Sequence, residues 1–279
     1  MQKLALPLLI ASLALAACGQ SNNSANQPKT TAQAPAPTAV TGSVSLKVPA
    51  PVGAGTELKL ALADVSVKPE AIIAQSTTNP GQLPAQFSLS FEPGKIDPNH
   101  LYVLNVTVKD GERNYVAPRQ YPVLTKGSAA KVDVVLTPEP TPSEKVETEY
   151  AGLQRAVGGM KRAEGASEDE ASTTAWDGFF DKNGLRYIRE IIDFGDKGRN
   201  NYFYAYRDGK PFAVFFERVP AMAERPNAVT RAGWDEAGTL VLKTKKDGGT
   251  VSVLADAEAK TLYDRAVAKY DVISKKTPK

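Results

Sequence analysis

Apolar and polar residues alternate along most of the stretch from residue 40 to 137. Val44, Leu46 and Val48 alternate with Ser45 and Lys47; Leu58, Leu60 and Leu62 with Lys59 and Ala61; Phe87, Leu89 and Phe91 with Ser88 and Ser90. The period recurs at Tyr102, Leu104, Val106 and Val108 and again at Val132, Val134 and Leu136, with shorter candidate strands at 71–75 and 113–123. A period of two marks strands with one buried and one wet face, the pattern of antiparallel sheets. Turn signals separate the runs: Asn79-Pro80-Gly81, Asp97-Pro98-Asn99, Asp110-Gly111 and Lys126-Gly127. Short strands at this spacing, with no helical pattern between them, predict an antiparallel β-sandwich over 40–137.

The period then changes. Pro138, Pro140 and Pro142 end strand pairing. Thr141-Pro142-Ser143-Glu144 has the order of a helix start, and Val146, Tyr150, Leu153 and Val157 make one helical stripe that Gly158-Gly159 closes. The segment 138–174 therefore reads as a Pro-rich connector with a helix over 142–157, followed by a polar linker from Lys161 to Thr174. From 175 to 279 the aromatic content rises, which argues for a second core. Strands are expected at 185–194, 200–206, 211–217, 239–245 and 250–254, with Arg207-Asp208-Gly209-Lys210 and Lys246-Asp247-Gly248-Gly249 as hairpin turns. A helix begins near Asp256, with Ala259, Leu262, Ala266, Tyr270 and Ile273 on its apolar stripe. This predicts a smaller α+β domain: an antiparallel meander of about five strands with a C-terminal helix across one face. The fold class is mainly β overall.

The N-terminus carries a different signal. Lys3 precedes an apolar run from Leu4 to Ala17, too short to span a bilayer comfortably. It ends Leu15-Ala16-Ala17-Cys18-Gly19, which resembles the bacterial lipobox, and Cys18 is the single cysteine of the chain. The resemblance implies cleavage before Cys18, a covalent diacylglycerol on its sulfur and an acyl chain on its new amine. Residues 1–17 then form a lipoprotein signal peptide, and 18–39 a lipidated, disordered tether of Asn, Ser, Gln, Thr, Ala and Pro. Two or three acyl chains anchor stably, and Gly19 in place of Asp implies sorting to the outer membrane, on its periplasmic face.

The sandwich segment also carries a family resemblance. Thr41-Gly42-Ser43-Val44, Leu62-Ala63-Asp64-Val65-Ser66, Phe87-Ser88-Leu89, Ile96-Asp97-Pro98 and Tyr121-Pro122-Val123-Leu124-Thr125-Lys126-Gly127 occur in an order that resembles the YbaY/YscW family of bacterial lipoproteins. That resemblance implies a β-sandwich and, for some members, a pilotin role: binding an outer-membrane secretin and helping it assemble. It implies no catalytic residues. The segment after 138 resembles no family we recognise.

Composition narrows the chemistry. With 34 basic and 31 acidic residues the net charge is +3, too even to point to nucleic acid. One Cys and one His leave no zinc cluster or disulfide framework, so no metal and no cofactor beyond the acyl groups on Cys18 is expected. Asp64 and Ser66 are expected to satisfy nearby backbone, and His100 to face solvent in a turn. Asp177, Asp181, Glu190 and Asp193 lie close in sequence, but no nucleophile elbow, phosphate loop or His-Glu-x-x-His accompanies them, and no enzyme activity is expected. Tyr202, Tyr204 and Tyr206 share one strand face. They are either core under the last helix or a candidate partner-binding ladder, since aromatics are enriched at interfaces. The expected function is that of a lipid-anchored, non-catalytic lipoprotein that binds an envelope protein such as a secretin. The alternative is a glycan- or envelope-polymer-binding module using the aromatic face of the second domain.

Overall fold

The computed structural model describes residues 36–276 and 278. Cys18, the signal segment 1–17 and the tether up to residue 35 lie outside the described residues. Eight strands form the first half: β1 (Ala39–Leu46), β2 (Glu57–Asp64), β3 (Ala71–Thr78), β4 (Ala85–Ser90), β5 (Tyr102–Asp110), β6 (Arg113–Val116), β7 (Pro122–Val123) and β8 (Lys131–Pro138). Their order is β3-β2-β5-β6-β8-β1-β4, with β7 beside β5. A short ladder, Val116↔Thr137 and Tyr115↔Pro138, joins the two layers β3-β2-β5-β6 and β8-β1-β4. Both layers turn their alternating apolar residues onto one core, including Val44, Leu60, Leu62, Phe87, Leu104, Val106, Val134 and Leu136.

One pairing departs from the antiparallel expectation. β1 and β8 run parallel, from Thr41↔Lys131 to Leu46↔Leu136. The alternation of a strand is the same whether its neighbour runs with it or against it, so the sequence carries no sign of this. The parallel pair fixes where the chain comes and goes: β1 begins at one end of the sandwich and β8 leaves at the other. At the leading end Thr38 O accepts from Phe91 N at 3.0 Å.

Helix α1 (Pro142–Ala156) follows with the expected capping box. Thr141 Oγ1 accepts from Glu144 N at 3.3 Å, and Glu144 Oε2 accepts from Thr141 N at 2.9 Å. Arg113 on β6 donates to both Glu144 oxygens, at 3.0 and 2.5 Å, tying the sandwich to the start of the helix. Arg113, with the Thr141 backbone, draws the Glu144 carboxyl down to about 2.

The second half is one eight-stranded antiparallel sheet in sequence order: β9 (Lys161–Glu168), β10 (Thr173–Asp181), β11 (Gly184–Asp193), β12 (Arg199–Arg207), β13 (Lys210–Val219), β14 (Ala228–Trp234), β15 (Leu240–Asp247) and β16 (Thr250–Val253), closed by helix α2 (Asp256–Ile273). It exceeds the five strands expected, and the stretch read as linker from 161 to 174 is mostly β9. Its two faces have two cores. Val146, Tyr150 and Leu153 of α1 pack with Phe179, Tyr187, Ala213 and Leu242 on one face, and the Tyr150 ring meets Phe215 at 4.0 Å. Ala259, Ala266 and Ile273 of α2 pack with Phe180, Ile188, Tyr204, Val214 and Trp234 on the other. The α1 stripe thus finds its partner within the chain, and helices cover both faces of the sheet rather than one.

Candidate functional site

Some of the residues that carry the family resemblance, Asp64, Ser66, Asp97 and Thr125, come together at the leading end of the sandwich. Asp64 ends β2, Tyr102 begins β5 directly opposite it, and Val123 of β7 pairs with Tyr102 on the other side. Three loops therefore meet there, and a continuous set of hydrogen bonds joins them. Asp64 is buried; its Oδ1 accepts from Ser66 N at 2.9 Å and its Oδ2 from His100 Nδ1 at 2.7 Å. Ser66 Oγ accepts from Leu101 N at 2.8 Å. The buried Tyr102 hydroxyl accepts from Asp97 N at 2.8 Å, while Tyr102 N donates to Thr125 Oγ1 at 2.9 Å, and Thr125 Oγ1 donates to Val123 O at 3.1 Å. Thr125 sits between Leu124 and Lys126, both at positive φ (58° and 46°). That conformation is uncommon for non-glycine residues, and the Thr125 hydrogen bonds to β5 and Val123 lie in the middle of this turn.

Asp64 and Ser66 satisfy backbone as expected. His100 differs from its expected role: it is half-buried, and its ring is held by Asp64 instead of facing solvent freely. Burial raises the Asp64 carboxyl, but the His100 and Ser66 hydrogen bonds outweigh it and leave it below its ordinary value. The Asp64 hydrogen bond raises His100 against the opposing effect of burial, helped by the charges of Asp64 and Asp97. The signs give opposite pH limits. The His100 contribution is complete below the unfolded histidine value of about 6.5 and is lost as pH rises through its higher folded value. The Asp64 contribution is present above about 3.9 and is lost as pH falls through its lower folded value. Melting temperature measured from about pH 6 to 9 is expected to fall more for the native chain than for His100→Gln; parallel curves would contradict the coupling. Around this network Leu101, at 46%, and Lys126 are exposed, with His100 half-buried.

The tyrosine ladder is placed elsewhere and differently. Tyr204 and Tyr206 are 0% exposed beneath α2, and Tyr202 is half-buried at its margin. The structure corrects the reading of these rings as an open partner-binding face: two of the three have no surface to offer. The Tyr206 hydroxyl donates to Ala266 O at 2.9 Å. The Tyr204 hydroxyl donates to Glu190 Oε2 at 2.7 Å and accepts from Arg265 Nε at 2.7 Å. Glu190 also takes Arg265 Nη2 at 2.7 Å and pairs with Lys269, while the Arg265 guanidinium lies 4.3 Å from the centre of the Tyr202 ring. Burial pushes the Glu190 carboxyl up, but Lys269, Tyr204 and Arg265 together hold it below its ordinary value. Sequence reasoning missed this cluster, because its acid and its bases lie on β11 and α2, far apart in the chain.

The remaining carboxylates of that group are also engaged. Asp177 pairs with Arg162 and Arg189, Asp181 with Arg186, and Asp193 Oδ1 accepts from Gly195 N at 2.8 Å. Among the described residues no group of three or more His, Cys, Asp or Glu gathers as a metal site, and no helix is long and apolar enough to cross a membrane.

No curated protein sequence matches the chain. Two solved structures are similar to it in part. One is an alternative pilotin from the type II secretion system of Vibrio cholerae, 23% identical over 36% of this chain and 96% of that one, with a TM-score of 0.34. The other is a 9R-lipoxygenase from Cyanothece, 12% identical over 85% of this chain and 46% of that one, with a TM-score of 0.23. Likenesses this shallow carry no argument about activity. Residues 35–136, which hold the whole leading-end network, match the model of the type III secretion system lipoprotein chaperone (YscW) family.

Proposed function

We infer that this chain is a lipid-anchored, non-catalytic envelope chaperone whose sandwich binds a protein of a secretion system. The observation that carries this reading is the match of residues 35–136 to the YscW lipoprotein chaperone family. The convergence of Asp64, Ser66, Tyr102, Thr125 and their loops at one end agrees with it, since a fixed set of loops on a rigid sandwich is a common form of binding surface. The lipobox-like Leu15-Ala16-Ala17-Cys18 supports an acyl anchor, and Gly19 an outer-membrane destination facing the periplasm. The chain between Cys18 and the start of β1 would let the sandwich stand roughly 25 Å from the headgroups. The partner class is an outer-membrane protein of the secretin kind. Burial of Tyr204 and Tyr206 leaves the glycan-binding alternative without the face it needed.

The test is fractionation in the native host. Cys18→Ser is expected to move the protein from the membrane to the soluble fraction and to lower the amount of the secretion-system partner reaching the outer membrane. Unchanged partition would remove the anchor. Normal partition of every outer-membrane protein in cells lacking the chain would remove the chaperone role.

A further inference from the structure

The two edges of the second sheet are built differently. β9 carries Lys161, Arg162, Glu164 and Glu168, all exposed, the usual guard against another strand adding to an edge. β16 carries no charge. Its four residues, Thr250-Val251-Ser252-Val253, are all exposed, with Val251 at 66% and Val253 at 74%. Among the described residues no strand pairs with its outer side.

The register shows what that edge presents. β15 and β16 pair as Asp247↔Thr250, Lys246↔Val251, Lys245↔Ser252 and Thr244↔Val253 around the two-residue turn Gly248-Gly249. In such a hairpin the residues flanking the turn bond to each other, and bonding alternates outward from there. Thr250 and Ser252 thus turn their backbone groups toward β15; consistently, Leu254 N reaches Lys243 O at 3.4 Å. Val251 and Val253 turn theirs outward. The two residues with free backbone groups are the two with bare apolar side chains.

We propose that β16 pairs antiparallel with β16 of a second copy of this chain, about a two-fold axis at Ser252, so that one sheet continues through both. In that register Val251 lies opposite Val253 of the second copy, and Val253 opposite its Val251. Each opposed pair exchanges backbone hydrogen bonds, and the four valines lie together on one face. The charges do not oppose a second copy. Reading across the joint, one row runs Lys246, Val251, then Val253 and Thr244 of the second copy, and the next runs Asp247, Thr250, then Leu254 and Lys243 of the second copy. Lys243 and Lys245 are already paired, with Asp256 at 3.4 Å and Glu258 at 2.6 Å, and the residues that meet directly at the joint are uncharged. A patch that complements itself is what a two-fold contact requires. Four-residue strands bury little area, so the dimer is a dissociable one, below the size of a permanent interface.

Ser252 tests the register. At the axis it forms a non-hydrogen-bonded pair with its own copy, where the Cα atoms approach to about 4.5 Å, within disulfide range. Full-length chain bearing Ser252→Cys, oxidised in cells, is expected to run as a reducible dimer, whereas the parent chain, whose one cysteine is Cys18, does not. In sedimentation of detergent-solubilised full-length protein, Val253→Pro is expected to move the monomer–dimer midpoint up by about tenfold or more. It removes one outward donor from each copy and leaves the β15 ladder intact. If the proline variant unfolds, V251K/V253K is expected to abolish the dimer. V251K/V253E is expected to keep it, because each new lysine then meets the second copy's new glutamate. Monomer at every concentration would overturn the proposal. So would a dimer indifferent to these changes, or Ser252→Cys captured as an adduct with a different polypeptide, which would give the edge to a foreign strand.

Discussion

Gly42→Ala is expected to destabilise the sandwich by about 3 kcal/mol or more, measured as the shift of its urea unfolding midpoint. Gly42 sits in β1 opposite Val132 of the parallel strand β8. A Cβ at that position would lie 1.7 Å from Val132 O and 2.7 Å from Val132 C. Both atoms are backbone, so no rotamer change relieves the overlap; the two strands must separate locally and lose ladder hydrogen bonds. The glycine of the Thr41-Gly42-Ser43-Val44 motif is therefore required by close approach. Gly55→Ala is the control: nothing lies within 4 Å of its added carbon, and a change within about 0.5 kcal/mol is expected. Equal midpoints for both variants would contradict the packing of β1 on β8.

The second large effect concerns the buried acid under α2. Arg265→Ala with Lys269→Ala leaves Glu190, with no exposed surface, held by the Tyr204 hydroxyl alone. Removing the partners of a buried charge typically costs about 3–5 kcal/mol. Adding Glu190→Gln to that double variant is expected to recover part of the loss, because the stranded charge goes with it. The pH response should also reverse. In the native chain the lowered Glu190 contributes stability that is present above the ordinary glutamate value of about 4.3 and lost as pH falls through the lower folded value. In the double variant the carboxylate is destabilised, and acidification that neutralises it should raise the melting temperature relative to neutral pH. A double variant as stable as the native chain would show that α2 is held by its apolar stripe alone.

Much of this fold was readable from the sequence where one face of an element is wet. The sandwich strands with Leu, Val and Phe alternation form where expected, as do α1 with its Thr141–Glu144 box and α2 with its stripe. The strands missed in the second sheet, β9, β10 and β14, share a cause. Their buried positions include small residues because helices lie close above them: a Cβ on Gly178 would come within 2.7 Å of Ile273 in α2, and one on Gly233 within 2.5 Å of Val146 in α1. Ala163 and Ala232 are likewise buried. Hydrophobic alternation cannot register where burial is done by glycine and alanine. The candidate site was legible residue by residue, since Asp64, Ser66 and the Tyr121–Gly127 motif stood out. Their convergence on Tyr102 depends on which strands pair, and no local pattern encodes that. The tyrosine ladder shows the converse: periodicity placed three rings on one face but could not say which face the last helix covers.

The parallel β1–β8 pair also sets how the molecule responds to tension. A pull between the segment ahead of β1 and the domain beyond β8 drags the first strand back from its start and the eighth forward from its finish. The two slide against each other lengthwise, so the rungs from Thr41↔Lys131 to Leu46↔Leu136 are strained together rather than peeled one at a time. A sandwich gripped in this way would hold under load that would unzip a hairpin of the same length.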